Sequence, residues 1–460
     1  MQPSPELFDV FMDVFMLGFA MAIVAPQGRK HLSADALFGL VRSGFATIPD
    51  ARLSDPDISL TDALMSAFAL FSLKSPSLLA FDKERAEGNL ATIYGLERVP
   101  CDTHMREILD ALSPESLRPL FKSVFRQVQR GKALEALAFL DGHYLLALDG
   151  TGYFSSKTIH CASCLQKVHR NGSITYYHQM LGAAIIHPDV REVIPLMPEP
   201  IMRHDGTAKN DCERNAAKRF MAKLRQAHPH LQCIVTEDSL SSNAPHLETL
   251  HAHGLHYILG IKEGDHAYLF KHVQAAEHAG HVTYYERHDR AEGVVHRFRF
   301  VNDVPLNESN TDVRVNFIEY WEHGDGNVQH FSWVTDLRVN KRNVYRLMRG
   351  GRARWKIENE TFNTLKNQGY NFEHNYGHGT KNLSVVFATI MMLAFLVDQV
   401  QQRCCTLFRA VWRKLGSKRL LWERMRALFY TYRLDSMREL FAALLYGWEK
   451  PHPILAIDTS

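Results

Sequence analysis

Three acidic residues in this sequence are candidates for binding a divalent cation. Asp149 and Asp238 each follow an apolar run typical of a buried strand, and Glu358 lies in segment 352–366, which predicts a helix. A carboxylate at the end of a buried strand is costly unless it is paired or bound to a cation. Two strands and a helix that each carry one acid provide the oxygen ligands that a hard divalent cation needs for nucleotidyl or phosphodiester chemistry.

Each acid has a competing interpretation. The sequence Asp149-Gly150-Thr151 is also typical of a turn after a strand, because Asp and Gly are common turn formers. Glu237 competes with Asp238, since successive side chains of a strand face opposite sides of the sheet. Glu360 competes with Glu358, but on a helix it lies about 200° away from it.

The helix predicted over 352–366 places one acid among cations. At about 100° per residue, Arg354, Glu358 and Lys366 fall within one sector of the helix surface. Trp355, Phe362 and Leu365 form a neighbouring apolar seam, which predicts that this side of the helix is buried.

Positive charge is concentrated in two segments, although the net charge of the chain is only +3. Residues 338–356 hold eight cations and no acid, and residues 403–426 hold eight cations against Glu423 alone. Two basic segments beside an acidic metal centre suit a polyanion held across a cation site. The alternative for either segment is a solvated helix face.

The three acidic segments resemble a known family. Asp149-Gly-Thr, the apolar run into Asp238-Ser-Leu, and Arg354-Trp-Lys-Ile-Glu358 are similar to the three blocks of insertion-sequence DDE transposases of the IS-four-like group. The resemblance extends from about Tyr144 to about Gly379, roughly half of the chain.

The third block of that family continues as Tyr-x2-Arg-x3-Glu-x6-Lys. Arg354 and Glu358 match this signature, but Gly351 stands at the tyrosine position and Leu365 at the lysine position. Lys366 lies one residue late, so the resemblance carries a lysine role to it less directly and a tyrosine role not at all.

The resemblance implies a DNA transposase with an RNase H-like catalytic core. In this interpretation Asp149, Asp238 and Glu358 are the catalytic residues and bind Mg²⁺ or Mn²⁺, as two ions. The cations expected to contact DNA phosphates are Arg349, Arg352, Arg354 and Lys366. The implied partners are the terminal inverted repeats and target DNA, bound by a homodimer in a prokaryotic, nucleoid-associated, cytoplasmic setting. The alternative is a catalytically silent or domesticated DNA-binding relative.

The sequence predicts an α/β fold. From His143 onward the pattern reads as three strands, a helix, a strand, a helix and a strand, which is the order of an RNase H-like fold. The core is thus a mixed sheet flanked by helices, interrupted by a β-rich insertion and bordered by a helical N-terminal region and a helical C-terminal tail. The predicted regions are 1–135 (helical, a candidate for DNA-end binding), 136–263 (first part of the core), 264–335 (insertion), 336–397 (core completed by the Glu358 helix) and 398–460 (helical and basic).

Seven cysteines, an odd number with uneven spacing, do not indicate a disulfide framework, and a reducing cytoplasm fits them. Cys161 and Cys164 are separated by two residues, and His160, His169 and His178 are near them in sequence. These are ligand types for Zn²⁺, but the pattern leaves the partners ambiguous, and ordinary thiols are the alternative.

Two apolar stretches bear on membrane insertion. Val14–Ala25 follows acidic residues instead of the basic region of a signal peptide. Leu383–Val397 is shorter than the roughly 20 residues that span a bilayer, which predicts a buried core helix.

The family resemblance suggests that an aromatic residue of the β-rich segment, Trp321 or Trp333, stacks on a base extruded from the DNA. Packing in the core is the alternative for both.

Overall fold

A mixed β-sheet with helices on its flanks forms the framework of the protein. The computed structural model describes residues 30–52, 56–203, 210–324 and 326–447. The apolar stretch Val14–Ala25 lies outside the described residues. The observed architecture agrees with the predicted α/β class.

The sheet contains the strands in the order β2-β3-β1-β6-β7-β11-β10-β9-β8, and β4 and β5 also pair with β3. Strand β1 runs antiparallel to β3 and parallel to β6, which in turn is parallel to β7. The strands are β1 (Tyr144–Ser156), β2 (Leu165–Val168), β3 (Ile174–His187), β4 (Val190–Pro195), β5 (Glu199–Ile201), β6 (Cys233–Glu237), β7 (His256–Gly260), β8 (Thr283–Asp289), β9 (Val294–Asn307), β10 (Asn310–Gly324) and β11 (Asn327–Thr335).

The helices cluster at both ends of the described chain and between the central strands. They are α1 (Ala34–Phe45), α2 (Leu60–Ser72), α3 (Leu78–Lys83), α4 (Gly88–Tyr94), α5 (Asp102–Asp110), α6 (Arg118–Arg130), α7 (Glu213–Ala227), α8 (Ala244–Ala252), α9 (Ala267–His278), α10 (Val344–Arg352), α11 (Asn363–Asn367), α12 (Leu383–Cys404), α13 (Thr406–Leu415), α14 (Lys418–Phe429) and α15 (Met437–Tyr446). The succession β1, β2, β3, α7, β6, α8, β7 follows the order predicted from the sequence. Strands β4 and β5 are additional, and the sequence pattern did not indicate them.

The β-rich segment extends the same sheet. Strand β11 pairs with β7 in antiparallel register, from Trp333 opposite Gly260 to Thr335 opposite Ile258. Strands β10, β9 and β8 then follow outward as antiparallel neighbours. The β-type sequences that begin at His296 and Val313 lie within β9 and β10, and the one that begins at His281 overlaps β8. The boundaries of the five predicted regions stay a prediction.

Helix α12 is the core helix predicted at Leu383–Val397. It is longer than predicted, 22 residues, so it is long and apolar enough to cross a membrane by length and composition. However, 94% of its apolar window is buried inside the fold, among helices such as α2. Burial, and not shortness, is what identifies it as a core helix.

The segment around Glu358 is not the uninterrupted α-helix that the sequence predicts. Helix α10 ends at Arg352, a turn follows, and Ile357–Phe362 forms a π-helix that leads into α11. Phe362 is buried against the sheet, where a Cβ on Gly182 would lie 2.6 Å from its ring. The prediction of one apolar seam is therefore wrong for Trp355, whose side chain is 51% exposed, although Phe362 and Leu365 are buried.

Candidate active site

Asp149 and Asp238 lie at the same level of two adjacent parallel strands. The register of β1 and β6 pairs Ala147 with Thr236, and each aspartate comes two residues later. Because side chains alternate along a strand, both carboxyl groups project to the same face of the sheet. Both border one cavity of about 460 Å³. Asp238 also begins a short 3₁₀ helix, and its Oδ1 accepts the Leu240 N–H at 3.0 Å.

Glu358 approaches Asp149 from the π-helix, with a guanidinium between them. Nη1 of Arg354 lies 3.3 Å from Oδ2 of Asp149 and 2.8 Å from Oε1 of Glu358. The two carboxyl groups thus share one cationic nitrogen, although their residues are far apart in the chain. A π-helix inside a helical segment is often found at a functional site.

The pKa of the Asp149 carboxyl lies near neutral pH. Burial raises its pKa to about 7, the positive charge of Arg354 opposes that rise, and the negative charge of Glu358 adds to it. Desolvation disfavours the ionised form, and a nearby carboxylate does the same. A cation that bound here would remove both penalties.

Glu213 is a further acid at this site, which the sequence interpretation missed. It lies in the first turn of α7 and borders the same cavity as Asp149 and Asp238. A Cβ on Gly150 would lie 2.0 Å from Oε1 of Glu213, so the glycine leaves room for the Glu213 carboxylate in its present position. The pKa of Glu213 is raised by burial and by the charges of Asp238 and Glu237. In the sequence, Gly150 indicates that some side chain could approach the strand closely at this point. It does not indicate that this side chain is Glu213.

The two competing acids have partners of their own. Glu237 is buried and contacts Nε2 of His246 at 2.5 Å. Glu360 accepts a hydrogen bond from Nε of Arg191 at 3.3 Å. Glu237 borders the same cavities as Asp238, but its carboxyl is engaged by His246.

The donor set fits a hard divalent cation. Asp149, Asp238, Glu213 and Glu358 offer only oxygen atoms, and Mg²⁺ and Mn²⁺ prefer such ligands. Burial is the largest cause of the raised pKa of Asp149, and the positive charge of Arg354 offsets only part of it.

The cations predicted to contact DNA lie in different surroundings. Arg349 pairs with Asp189, at 3.2 Å between Nη1 and Oδ2. Lys366 pairs with Glu373 at 2.8 Å. The segment that carries Arg354, Glu358 and Lys366 contains a π-helix and is not one regular α-helix, and their common sector stays a prediction.

Arg352 and Arg354 border a second cavity, of about 610 Å³, that also reaches Asp238. Arg352 pairs with Glu322 and lies over the ring of Phe331. The exposed ring of Trp355 lines the same cavity.

Trp333 and Trp321, the two tryptophans considered in the sequence analysis, both pack against other side chains. Trp333 is buried, and a Cβ on Gly351 would lie 2.4 Å from its Nε1. Gly351, which stands at the family's tyrosine position, is thus needed to admit the indole ring. Trp321 stacks on His330, with ring centroids 5.2 Å apart.

No family model matches this sequence, and no curated protein matches it. Among solved structures, the chain is similar to the piggyBac transposase in a synaptic complex with hairpin DNA. The TM-score is 0.42 and the identity 11%, over 91% of this chain and 81% of that chain. A likeness of this degree assigns neither a fold family nor an activity, which leaves the side chains described above as the basis for function.

Proposed function

We propose that this protein is a DDE-type DNA transposase that cleaves transposon ends and joins them to a target. The observation that carries the proposal is that Asp149 and Asp238 border one cavity, while Arg354 bridges Asp149 and Glu358. The three acids belong to two adjacent parallel strands and a π-helix, and they offer only oxygen atoms as ligands.

The topology supports an RNase H-like catalytic core for this enzyme. Strand β1 lies at the centre, antiparallel to β3 and parallel to β6, and the element order matches the one expected from the sequence. The β-rich strands β8 to β11 come between Asp238 and Glu358, as the family resemblance implies for an insertion.

Metal ions bound by Asp149, Asp238 and Glu358 would activate a water or a 3′-hydroxyl and stabilise the leaving oxygen. The side chains prepare the site in other ways. Arg354 pairs with both Asp149 and Glu358, and its guanidinium has phosphate oxygens as alternative partners. Burial around Asp149 strengthens each of these electrostatic interactions.

The second cavity is suited to a DNA strand near the site. Arg352 and Arg354 provide positive charge, and Trp355 provides an exposed ring on which a base can stack, worth about 1–3 kcal/mol. Lys366 and Arg349 must leave Glu373 and Asp189 before they can bind phosphate, so we assign them weaker roles. Action as a DNA-bound homodimer in a prokaryotic cytoplasm remains part of the proposal.

The test is metal-dependent nicking of a plasmid that carries the DNA flanking this coding sequence. Asp149→Asn, Asp238→Asn and Glu358→Gln should each abolish nicking in Mg²⁺ and Mn²⁺ while end binding persists, since metal ligation and phosphate positioning use different groups. Glu360→Gln is the matched control on the same π-helix and should keep wild-type nicking, because Glu360 pairs with Arg191 outside the site.

Nicking that survives in one of the three variants would remove that residue from the catalytic set. End binding without nicking by the wild-type chain in either metal would favour the alternative, a catalytically silent DNA-binding relative.

A further inference from the structure

Two cysteines and two histidines from distant parts of the chain converge outside the acidic site. Cys161 and Cys164 lie in the loop between β1 and β2, His178 lies on β3, and His378 lies between α11 and α12. Their ligand atoms all lie within 4.8 Å of one another. We call these four residues the Cys2His2 cluster.

The distances in the cluster are those of a tetrahedron around a metal ion. The two sulfurs are 3.8 Å apart, and His178 Nε2 lies 3.6 Å from Cys161 Sγ and 3.4 Å from Cys164 Sγ. His378 Nε2 lies 3.4 Å from Cys164 Sγ. Tetrahedral zinc, with bonds of about 2.3 Å to sulfur and about 2.0–2.1 Å to nitrogen, separates two sulfurs by about 3.8 Å and a sulfur and a nitrogen by about 3.6 Å.

Hydrogen bonds are a weak explanation for this arrangement. Cys164 Sγ has three close neighbours among the ligand atoms, and a thiol is only a weak donor and a weak acceptor of hydrogen bonds. A disulfide requires sulfurs about 2.05 Å apart, much closer than those of Cys161 and Cys164. His178 and His378 are buried, and Nδ1 of each has no hydrogen-bond partner in the part of the chain that the structure describes.

We propose that Cys161, Cys164, His178 and His378 bind one structural Zn²⁺ ion in tetrahedral geometry. The ligands are two thiolates and two neutral imidazoles bound through Nε2, so the complex has no net charge. Binding releases the proton of each thiol that was protonated beforehand, at most two per ion. All four positions are filled by the protein, which distinguishes a structural zinc site from a catalytic one with an open position.

The zinc site would fasten two segments that follow the candidate catalytic residues. The β1–β2 loop comes after Asp149, and the His378 segment comes after the π-helix that carries Glu358. The ring of Phe154 packs on that of His378, with centroids 4.3 Å apart. The site would therefore hold the end of the π-helix region against the sheet hairpin. This proposal does not depend on the proposed transposase activity.

The sequence indicated three of the four ligands but could not select them. His160 stacks on Tyr176, and His169 contacts the Thr175 hydroxyl at 2.7 Å, so neither histidine joins the cluster. His378 lies more than 200 residues beyond Cys164, at a separation that no short motif specifies.

The test is the metal content of the full-length chain, purified without added metal and measured by mass spectrometry. We expect about one zinc ion per chain, as for a closed four-ligand site. His378→Ala and Cys164→Ser should each lower that content several-fold. Cobalt substitution of the wild-type chain should give the visible absorption bands of tetrahedral, thiolate-bound cobalt, and these bands should be lost in Cys164→Ser.

Two matched controls keep the test specific. His374→Ala removes an exposed histidine from the same segment as His378. Cys405→Ser changes a helix N-cap whose sulfur accepts the Phe408 N–H, a role that serine retains. Both should keep the zinc and the cobalt spectrum of the wild-type chain.

Should a variant fail to fold, Cys161→His, which replaces one zinc ligand type by another, should retain zinc. The proposal would be overturned by a folded wild-type chain that contains no zinc and gives no such cobalt bands. It would also be overturned by a Cys161–Cys164 disulfide found by mass in metal-free protein, which would assign the pair to redox chemistry.

Discussion

Arg354 links two of the acidic residues of the candidate active site. Its Nη1 contacts both Asp149 and Glu358, so a protein cation stands where two carboxylates would otherwise repel each other. The pKa of Asp149 is nevertheless raised to about 7, with burial as the largest cause. The site therefore still favours a further positive charge, either a proton or a metal ion.

The titration of Asp149 gives a pH dependence with a definite sign. Its folded pKa of about 7 lies above its value in the unfolded chain, about 3.9. The folded protein therefore binds this proton more tightly, and the contribution to the free energy of unfolding is lost as the pH rises from about 4 to about 7. Because Mg²⁺ competes with the same proton, its affinity should rise over this interval and level off above it.

Calorimetric titration with Mg²⁺ between pH 5 and 8 measures this effect, at roughly tenfold in affinity per pH unit below the pKa. Asp149→Asn has no such proton and should show weak binding without that slope. A wild-type affinity independent of pH across this range would contradict the assignment of Asp149 as a ligand.

At the scale of elements, the sequence predicts what depends on local pattern. The apolar runs before Asp149 and Asp238 identify two buried strands, and the turn Arg170-Asn-Gly172 identifies the β2–β3 hairpin, where Gly172 has a φ of 80°. The π-helix could not be predicted in this way. Its Phe362 packs over Gly182, a contact between segments 180 residues apart in sequence, and no local pattern specifies such a contact.

The short strands β4 and β5 escape prediction for a related reason. In the part of the chain that the structure describes, each pairs with β3; β5 has three residues, and β4 lacks a regular alternation of exposed and buried residues. The sequence analysis also missed two site residues, Glu213 and His378. Each is brought to its site by a tertiary contact, which the spacing of residues in the sequence does not indicate.

Two glycine-to-alanine substitutions, one in α10 and one in α1, distinguish the effect of helix propensity on stability from the effect of packing. Gly351→Ala should destabilise the protein by about 1–3 kcal/mol, because the new methyl group would overlap the buried indole of Trp333. Gly39→Ala, on an exposed face of α1 with nothing within 4 Å of the added Cβ, should instead stabilise by about 0.5–1 kcal/mol.

Urea denaturation of the two alanine variants measures the difference in the free energy of unfolding. Equal stabilisation by both substitutions would show that Trp333 can move aside at little cost.

At the scale of the whole molecule, a buried ion pair joins the N-terminal and C-terminal helices. Lys74, just after α2, pairs with Asp398 of α12, which also accepts the Tyr370 hydroxyl at 2.5 Å. The Lys74 ammonium lies 4.0 Å from the ring centre of Trp422 on α14. Burial lowers the pKa of Lys74 and raises that of Asp398, and their mutual attraction opposes both shifts.

Removing one member of this pair should be far more costly than replacing both. Asp398→Ala leaves the Lys74 charge buried without its partner and should destabilise by about 3–5 kcal/mol. The double variant Lys74→Met with Asp398→Leu should recover most of that loss, since buried pairs are often replaceable by apolar groups.

Glu423→Ala serves as the control for the pair, because its ion pair with Arg419 is exposed and should contribute less than about 1 kcal/mol. The free energies of unfolding of the three variants show whether the buried Lys74–Asp398 pair stabilises the fold. A loss in Asp398→Ala no larger than that of the control would show that the pair does not join the helices energetically.

The single sheet has a consequence for how the chain is made on the ribosome. Among the residues that the structure describes, β11 is the strand that pairs with the outer edge of β7, and it emerges after residues 261–326 have been added. At about 5–20 residues per second, that addition takes roughly 3 to 13 seconds. Throughout this interval β7 presents unpaired N–H and C=O groups, which are a template for pairing with another nascent chain. When many ribosomes translate one messenger RNA, neighbouring nascent chains can therefore aggregate through β7. A lower rate of translation initiation, which spaces the ribosomes further apart, should raise the yield of soluble protein.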